Sequence, residues 1–176
     1  KASEEMRQRV AELTGPDLAE SVYLSTFHSL GADILRRDID VLNYDKPFTI
    51  LDQNDQISVV EEAMRELDID RSTVPPPDLL SMISRAKMDF REPQNIEDFK
   101  YNPHLPRAQK VFERYQRALR GLNAVDFDDL LCLPIRLFRQ HDGIRKKYGD
   151  RFQYVMVDEY QDTNRTQLIF LKELVR

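Results

Sequence analysis

Residues 152–164 read Phe-Gln-Tyr-Val-Met-Val-Asp-Glu-Tyr-Gln-Asp-Thr-Asn, and the prediction of the whole fold begins with them. Four apolar residues, 154–157, end abruptly at two adjacent carboxylates, Asp158 and Glu159. A short apolar run that contains two β-branched valines is typical of a strand buried on both faces. An unpaired buried carboxylate is costly, so the acids are expected where the strand leaves the core. The pattern therefore predicts a buried strand with an acidic pair at its carboxyl end.

An acidic pair at the end of a buried strand can take part in phosphate chemistry. Ligands of open parallel sheets bind at the carboxyl ends of the strands. One carboxylate there can hold a metal ion on a phosphate group, and its neighbour can orient or deprotonate a water molecule. The alternative interpretation is a strand end followed by an acidic, solvated turn.

A second strand is predicted over residues 22–25, and a helix start follows it. Thr26 is a candidate N-cap for a helix that continues through about Asp38. A hydroxyl, the free N–H groups of a helix start and the imidazole of His28 can all contact phosphate. In the alternative interpretation, Phe27 packs in the core and His28 is an ordinary residue of the capping turn.

Amphipathic helices dominate the rest of the chain. Two buried strands need partners, and the nearest partners are each other, so the two ends of the chain are expected to share one sheet. We therefore predict a discontinuous α/β domain from residues 1–28 and 150–176, an all-helical inserted subdomain from residues 29–149, and a mostly helical chain overall. Apolar spacing predicts helices over 3–14, 53–67, 77–90, 105–121 and 127–141, a short helix around 144–148, a last helix from Thr163 or Asn164, a short extended segment at 48–50 and an irregular connection at 91–106.

A stripe of basic residues is predicted on the helix of residues 105–121. Arg107, Lys110, Arg114 and Arg117 are spaced i, i+3, i+7 and i+10, which puts them on one face. Like charges three or four residues apart destabilise an isolated helix by about 0.2–0.5 kcal/mol a pair, so we hypothesise that the stripe serves to bind nucleic-acid phosphates. The alternative is a solvated face neutralised by acids of another helix, since the chain has 31 acidic residues.

The composition sets limits on the class of protein. The chain has 176 residues, of which 32% are charged, and a formal net charge of -5, which does not exclude nucleic acid because binding depends on local basic patches. Its one cysteine, Cys132, excludes a disulfide framework. Acids at 126, 128 and 129 are better explained by capping and the helix dipole than by a metal ion. No run is long enough to span a membrane and no signal peptide is visible, so we expect a cytoplasmic protein with no membrane partner.

The string Val157–Asn164 resembles motif II of the UvrD/Rep/PcrA-like DNA helicases of superfamily 1. In that family the Walker B acids are followed by an aromatic residue and then Gln-Asp-Thr-Asn. Thr26–Leu30 resembles motif Ib, and Lys1–Val10 resembles the end of motif Ia, although Ser3 departs from the usual alanine. Residues 36–40, 48–56 and 126–131 also resemble family sequence, so the resemblance covers nearly the whole chain.

The resemblance implies a function, cofactors and a set of site residues. It implies part of an ATP-dependent DNA helicase that moves 3′ to 5′ on single strands, with ATP and Mg²⁺ as cofactors and single-stranded and forked DNA, with repair or replication proteins, as partners. By resemblance, Asp158 binds magnesium and Glu159 activates the water that attacks the γ-phosphate of ATP. The residues expected to contact DNA are Lys1, Thr26, Phe27 and His28 from the motifs, and Lys110, Arg114 and Arg117 from the basic stripe.

The resemblance also implies an incomplete P-loop (RecA-like) motor domain with a helical subdomain inserted between motifs Ib and II. A phosphate-binding loop needs Gly-x-x-x-x-Gly-Lys-Ser/Thr, and none of the five glycines is followed by lysine. The family has that loop upstream of Lys1 and a second motor domain downstream of Arg176. We therefore expect no ATPase or unwinding activity from this chain alone. The alternatives are a non-enzymatic helical interaction module and the helicase part of a helicase–nuclease.

Overall fold

The computed structural model describes residues 2–95 and 105–175, and these residues are mostly helical. The helices predicted from the sequence are confirmed, with ends shifted by less than a turn. None of the described helices is both long and apolar enough to cross a bilayer. The α-helices of the described ranges are α1 (Ala2–Thr14), α2 (Pro16–Ser21), α3 (Phe27–Asp38), α4 (Gln53–Glu66), α5 (Pro76–Met88), α6 (Leu105–Gly121), α7 (Asp129–Gln140), α8 (Asp142–Arg151) and α9 (Arg165–Leu174), with 3-10 turns at Ile39–Leu42, Pro93–Asn95 and Tyr160–Asp162.

Polar side chains begin three of these helices. Thr26 Oγ1 and Asp52 Oδ1 each accept a hydrogen bond from the backbone N–H three residues later, at 3.2 and 2.9 Å. Asn164 and Gln167 form a capping box, in which each side-chain oxygen accepts a bond from the other residue's backbone N–H, at 2.8 and 3.0 Å. These bonds satisfy N–H groups that have no partner inside the helix, so the starts of α3, α4 and α9 are set locally.

The two strands predicted at residues 22–25 and 154–157 do not form, and that prediction was wrong for this structure. Both segments are extended or irregular connections without a partner strand among the described residues. Tyr154 and Met156, predicted to be buried, are 91% and 92% exposed. A strand becomes stable only when a neighbour accepts and donates its backbone hydrogen bonds and covers its faces, and the described residues supply no such neighbour here.

A short parallel ladder joins β1 (Thr49–Ile50) to β2 (Ala124–Val125), and no other ladder lies within the described ranges. The extended segment predicted around residue 49 is therefore confirmed. Asn123, at φ 49°, fastens the ladder to the preceding loop. Its side chain accepts a hydrogen bond from the N–H of Asp45 at 2.8 Å and donates to the carbonyls of Asp45 and Pro47 at 3.2 and 3.1 Å.

The buried apolar side chains form two hydrophobic cores. The first core lies between α3, α7, α8 and α9, and the second lies between α4, α5 and α6. The ladder stands where the cores meet, because Val125 belongs to the first core and Ala124 to the second. The largest fully buried side chains are Ile34, Leu35, Ile39, Phe138, Tyr148 and Phe170 in the first core, and Met64, Leu79, Ile83, Phe112, Tyr115 and Leu119 in the second.

A buried ionic cluster links the two cores. Lys87, near the end of α5, is 2% exposed, and its Nζ lies 2.6 Å from Asp126 Oδ2 and 2.8 Å from Asp129 Oδ1. The hydroxyl of Tyr115 donates to Asp126 Oδ2 at 3.0 Å. Burial alone would lower the pKa of Lys87, but the two carboxylates outweigh it and hold that pKa well above its ordinary value. The cluster is therefore charged, and its partners come from both sides of the junction.

The acids at 126 and 129 also begin α7. Asp126 Oδ1 accepts from the N–H of Asp129 at 2.8 Å, and Asp129 Oδ2 accepts from the N–H of Asp126 at 3.3 Å. This reciprocal pairing closes the turn that leads into α7, whose N-cap residue, Asp128, makes no side-chain cap bond. The interpretation of these acids as helix-start residues is confirmed, and their remaining oxygens bind Lys87, which the sequence analysis did not predict.

Helices α3 and α7 approach each other at Gly31. A Cβ at this position would lie 1.8 Å from the carbonyl oxygen of Leu130, which is far inside van der Waals contact. Only glycine fits against this backbone, so Gly31 sets the distance between the helix that begins at Thr26 and the rest of the first core.

Candidate functional site

The acidic pair lies in an exposed turn between α8 and α9. Glu159 has φ 49°, in the left-handed region, and its N–H donates to Asp158 Oδ1 at 3.0 Å. Gln161 Nε2 donates to Glu159 Oε2. Both carboxylates face solvent, as in the alternative interpretation of an acidic, solvated turn.

Hydrogen bonds close this turn directly before the start of α9. The N–H of Asp162 donates to the carbonyl of Glu159 at 2.9 Å, and Thr163 Oγ1 donates to the carbonyl of Tyr160 at 2.7 Å. The capping box of Asn164 follows directly. We define residues 158–162 as the acidic turn, which is closed by its own bonds and adjoins the capped start of α9 along the chain.

The three motif Ib residues at the start of α3 differ in their exposure and in the side chains they contact. Thr26 is exposed and caps the helix, while Phe27 packs against the first core with its ring 6.4 Å from that of Phe170. The core packing considered for Phe27 is therefore present. The half-buried His28 stacks on Phe127, with ring centroids 3.9 Å apart and planes 16° apart. Burial lowers the pKa of His28, so its imidazole is uncharged at neutral pH.

Phe127 is a surface residue that the sequence analysis did not single out. It is 54% exposed and lies just before α7, between the aspartates at 126 and 128. An aromatic residue among helix-start acids was the one sequence feature that could have marked Phe127 as a surface residue. Its stacking on His28 could not be predicted, because it depends on the packing of α3 against α7. The two rings form a flat aromatic surface beside the exposed Thr26.

Aromatic contacts bring the segments predicted as strands together. The rings of Tyr23 and Phe152 lie 5.5 Å apart, and the guanidinium of Arg151 lies 5.4 and 5.2 Å from the two ring centroids. Tyr23 also donates its hydroxyl hydrogen to Asp33 Oδ2 at 2.7 Å. The segments are thus neighbours at this point, although they form no ladder. Lys1, the motif Ia residue expected to contact DNA, lies outside the described residues.

The basic stripe on α6 belongs to the second core and is only partly free. Arg107 and Lys110 are exposed to solvent. Arg114 Nη2 lies 2.5 Å from Glu66 Oε2 of α4, so this arginine is neutralised by another helix as the alternative interpretation had it. Arg117 Nη2 lies 3.9 Å from Glu113 Oε2 on the same helix. The stripe lies on a different core from the acidic turn and the start of α3.

Known proteins resemble this chain along its whole length. The family model described as the UvrD/REP helicase N-terminal domain matches residues 1–176. The chain is 38% identical over 174 residues to the ATP-dependent DNA helicase PcrA of Bacillus subtilis (strain 168), covering 99% of this chain and 23% of the relative. It is 37% identical over 176 residues to PcrA of Leuconostoc citreum, covering 100% of this chain and 24% of the relative. It is also similar to PcrA of Staphylococcus aureus (strain NCTC 8325 / PS 47), at 38% identity over 174 residues.

These matches run through the whole chain and include the acidic turn and the start of α3. The chain spans about a quarter of the length of the curated relatives it matches. The family model alone covers every residue, and the chain therefore belongs to the UvrD/Rep helicase N-terminal domain family.

Proposed function

We propose that the chain is part of an ATP-dependent DNA helicase and supplies the magnesium-binding and water-activating half of its nucleotide site. The observation that carries the proposal is the exposed Asp158–Glu159 pair, which is held on a hydrogen-bonded turn in a chain that matches the helicase family from end to end. The relatives named above are each called ATP-dependent DNA helicase.

The donor set of the acidic turn suits magnesium. Magnesium prefers oxygen ligands, keeps several waters and is commonly bound through one or two carboxylates together with substrate phosphates. Within the described residues no group of three or more potential ligands could hold a metal ion alone, which fits an ion that is shared with a nucleotide. Bound magnesium neutralises charge that develops on the transferred phosphate. In this proposal Asp158 holds the ion, and Glu159 orients and deprotonates the attacking water.

The rest of the nucleotide site must come from other residues. None of the glycines in the chain is followed by lysine, so the chain has no phosphate-binding loop of the Gly-Lys type. We propose that this loop lies in the remainder of the full-length protein and that the isolated chain does not turn over ATP. We also propose that segments 22–25 and 154–157 become strands there, which would make residues 1–28 and 150–176 one motor domain and residues 29–149 its helical insert.

The proposed DNA contacts fall on two surfaces. At the start of α3, the hydroxyl of Thr26 and the free backbone N–H of Phe27 can bind phosphate, and the flat pair of His28 and Phe127 can stack on a base. Lys1 is proposed as a further phosphate contact. On α6, Lys110, Arg114 and Arg117 are proposed to contact phosphates of single-stranded or forked DNA, and translocation is proposed to run 3′ to 5′.

The test compares the full-length protein with its Glu159→Gln variant. We expect DNA-stimulated ATP turnover and unwinding of a forked duplex with a 3′ tail in the wild type. Glu159→Gln should lower kcat by at least about a hundredfold while nucleotide binding persists, because a removed general base costs roughly 10²–10⁴ in rate.

Asp55→Asn serves as the control, since it removes an exposed carboxylate on α4, outside the acidic turn. Normal turnover in Glu159→Gln would contradict the role of this residue. Absence of ATP turnover in the wild-type full-length protein would favour a non-enzymatic helical module. ATP turnover by the purified chain alone, lost in Glu159→Gln, would contradict the proposed inactivity of the chain.

A further inference from the structure

The end of α5 is closed by a Schellman-type turn. The N–H of Arg91 donates to the carbonyl of Ala86, and the N–H of Phe90 donates to the carbonyl of Lys87, both at 2.9 Å. Phe90 takes the left-handed conformation, with φ 52°, that this turn requires. The pairing does not reach the carbonyl of Met88, so that group needs a partner from elsewhere.

Thr166 supplies that partner from α9. Its Oγ1 lies 2.8 Å from the carbonyl oxygen of Met88 and 2.6 Å from that of Lys87, and the residue is 1% exposed. A hydroxyl has one hydrogen to donate, and here both acceptors within reach are carbonyls at the end of α5. The carbonyl of Lys87 also accepts from the N–H of Phe90, whereas the hydroxyl of Thr166 is the side-chain donor to the carbonyl of Met88. The hydroxyl therefore contributes a polar contact between α9 and the end of α5 that an apolar side chain of the same shape would remove.

Thr166 is joined on one side to the acidic turn. It occupies the second position of α9, directly after the Asn164 cap and the hydrogen bonds that close the acidic turn. Glu159 and Thr166 are therefore on one short segment, in which residues 159–163 are hydrogen-bonded to one another and the Asn164 cap of α9 follows.

On its other side Thr166 is joined to the helix pair of the second core. Lys87, whose carbonyl accepts from Thr166, places its ammonium between Asp126 and Asp129. Helix α5 packs against α6, which carries the basic stripe. The hydroxyl of Thr166 thus contacts α5, and α5 in turn packs against the helix that carries exposed cations.

We propose that Thr166 is a positioning residue that couples the acidic turn to the α5–α6 pair, so that DNA bound by the chain changes the rate of ATP hydrolysis. This inference rests on the proposed helicase function and adds a residue to it. When the acids engage nucleotide, α9 and the end of α5 move together or their shared hydrogen bonds break. Coupling of this kind is reciprocal, so nucleotide should also change the affinity for DNA.

The experiment compares Thr166→Val with Thr166→Ser in the full-length protein. Valine keeps the shape and removes the donor, while serine keeps the donor. We expect Thr166→Val to lower the stimulation of ATPase kcat by single-stranded DNA about fivefold, with DNA-free turnover and the KM for ATP within about twofold of wild type. Thr166→Ser should retain the wild-type stimulation. Equal stimulation in all three proteins, equal losses in valine and serine, or an equal loss of DNA-free turnover would each overturn the proposal.

A second measurement needs no variant. Hydrogen exchange of the backbone amides of residues 89–91 is compared in the wild-type protein with and without a non-hydrolysable ATP analogue. We expect protection at the end of α5 to change, although none of these residues touches the acidic turn. Unchanged protection would overturn the coupling even if Thr166→Val fails to fold.

The two proposals fail in distinguishable ways. If the wild-type protein hydrolyses no ATP, or if Glu159→Gln has normal turnover, both the proposed function and the coupling through Thr166 are contradicted. If Glu159→Gln is inactive but Thr166→Val keeps full stimulation by DNA, only the coupling through Thr166 is contradicted.

Discussion

Replacing Lys87 with methionine is expected to lower the free energy of unfolding of the chain by about 3–5 kcal/mol. The lysine Nζ lies 2.6 Å from Asp126 Oδ2 and 2.8 Å from Asp129 Oδ1, and all three side chains are buried. Methionine fills much of the volume of the lysine stem, so little of the loss comes from a cavity. It comes from leaving two buried carboxylates without their cation. Since domains are stable by roughly 5–15 kcal/mol, the variant should be close to unfolding.

The size of this loss should depend on pH. Without Lys87, burial and mutual repulsion raise the pKa of Asp126 and Asp129 above their unfolded values. A carboxyl group with a raised folded pKa contributes stability below its unfolded pKa and loses it as the pH rises through the folded pKa. In the wild type, Lys87 lowers the pKa of Asp126 despite burial, so the stability contributed by Asp126 is lost on acidification, while burial keeps the pKa of Asp129 raised. Both effects predict that the difference in the free energy of unfolding between wild type and variant becomes smaller as the pH falls from about 7 to about 4.

The assay is urea denaturation followed by circular dichroism at several pH values. Lys46→Met is the matched control, because Lys46 also pairs with a carboxylate, Asp40, at 2.7 Å but does so in solvent. Its stability should be almost unchanged. A loss below about 1 kcal/mol in Lys87→Met, or a gap that widens on acidification, would refute the reasoning that the cluster is a buried, charge-balanced junction.

Three further changes are expected to have measurable effects. Gly31→Ala should cost about 3 kcal/mol of stability by denaturant titration, because its Cβ would overlap the backbone of α7. Phe127→Ala should weaken binding of single-stranded DNA by about 1–3 kcal/mol in a fluorescence anisotropy titration, with stability nearly unchanged, because the exposed ring stacks on an imidazole at the proposed DNA surface. Reversing Lys110, Arg114 and Arg117 to glutamate should weaken DNA binding and flatten its dependence on salt concentration.

Two of these predictions have a matched control in the chain. Gly143→Ala adds a Cβ in open space and should not destabilise. Reversal of Arg65, Arg71 and Lys46, which are exposed cations outside α6, changes the net charge by the same amount as reversal of the stripe. Equal losses of DNA binding from the two triple reversals would contradict a specific role for α6. An unchanged affinity of Phe127→Ala would contradict stacking by that ring.

Helix positions could be predicted from the sequence because their signals are local. Thr26, Asp52 and Asn164 each bond to an N–H three residues away, and the apolar periodicity needs only the geometry of one helix. The acidic pair was also singled out from the sequence, as two adjacent charges after an apolar run and within a family motif, although the solvated turn was only the alternative to the predicted site at a buried strand end. Its predicted strand was wrong because a strand is completed by a partner distant in sequence, and no such partner is present among the described residues.

The contacts that join these elements were decided by tertiary structure. Lys87 meets Asp126 and Asp129 across 39 and 42 residues, and Thr166 meets Lys87 across 79. No periodicity or motif signals such a pair, since each depends on how two helices pack. The amino-acid sequence by itself determined where helices begin and which two acids stand together before the last helix, because those depend on near neighbours. Only the packing of α5, α7 and α9 determined that a lysine is buried and that a threonine of α9 contacts the end of α5, because burial and long-range hydrogen bonds exist only once the helices are assembled.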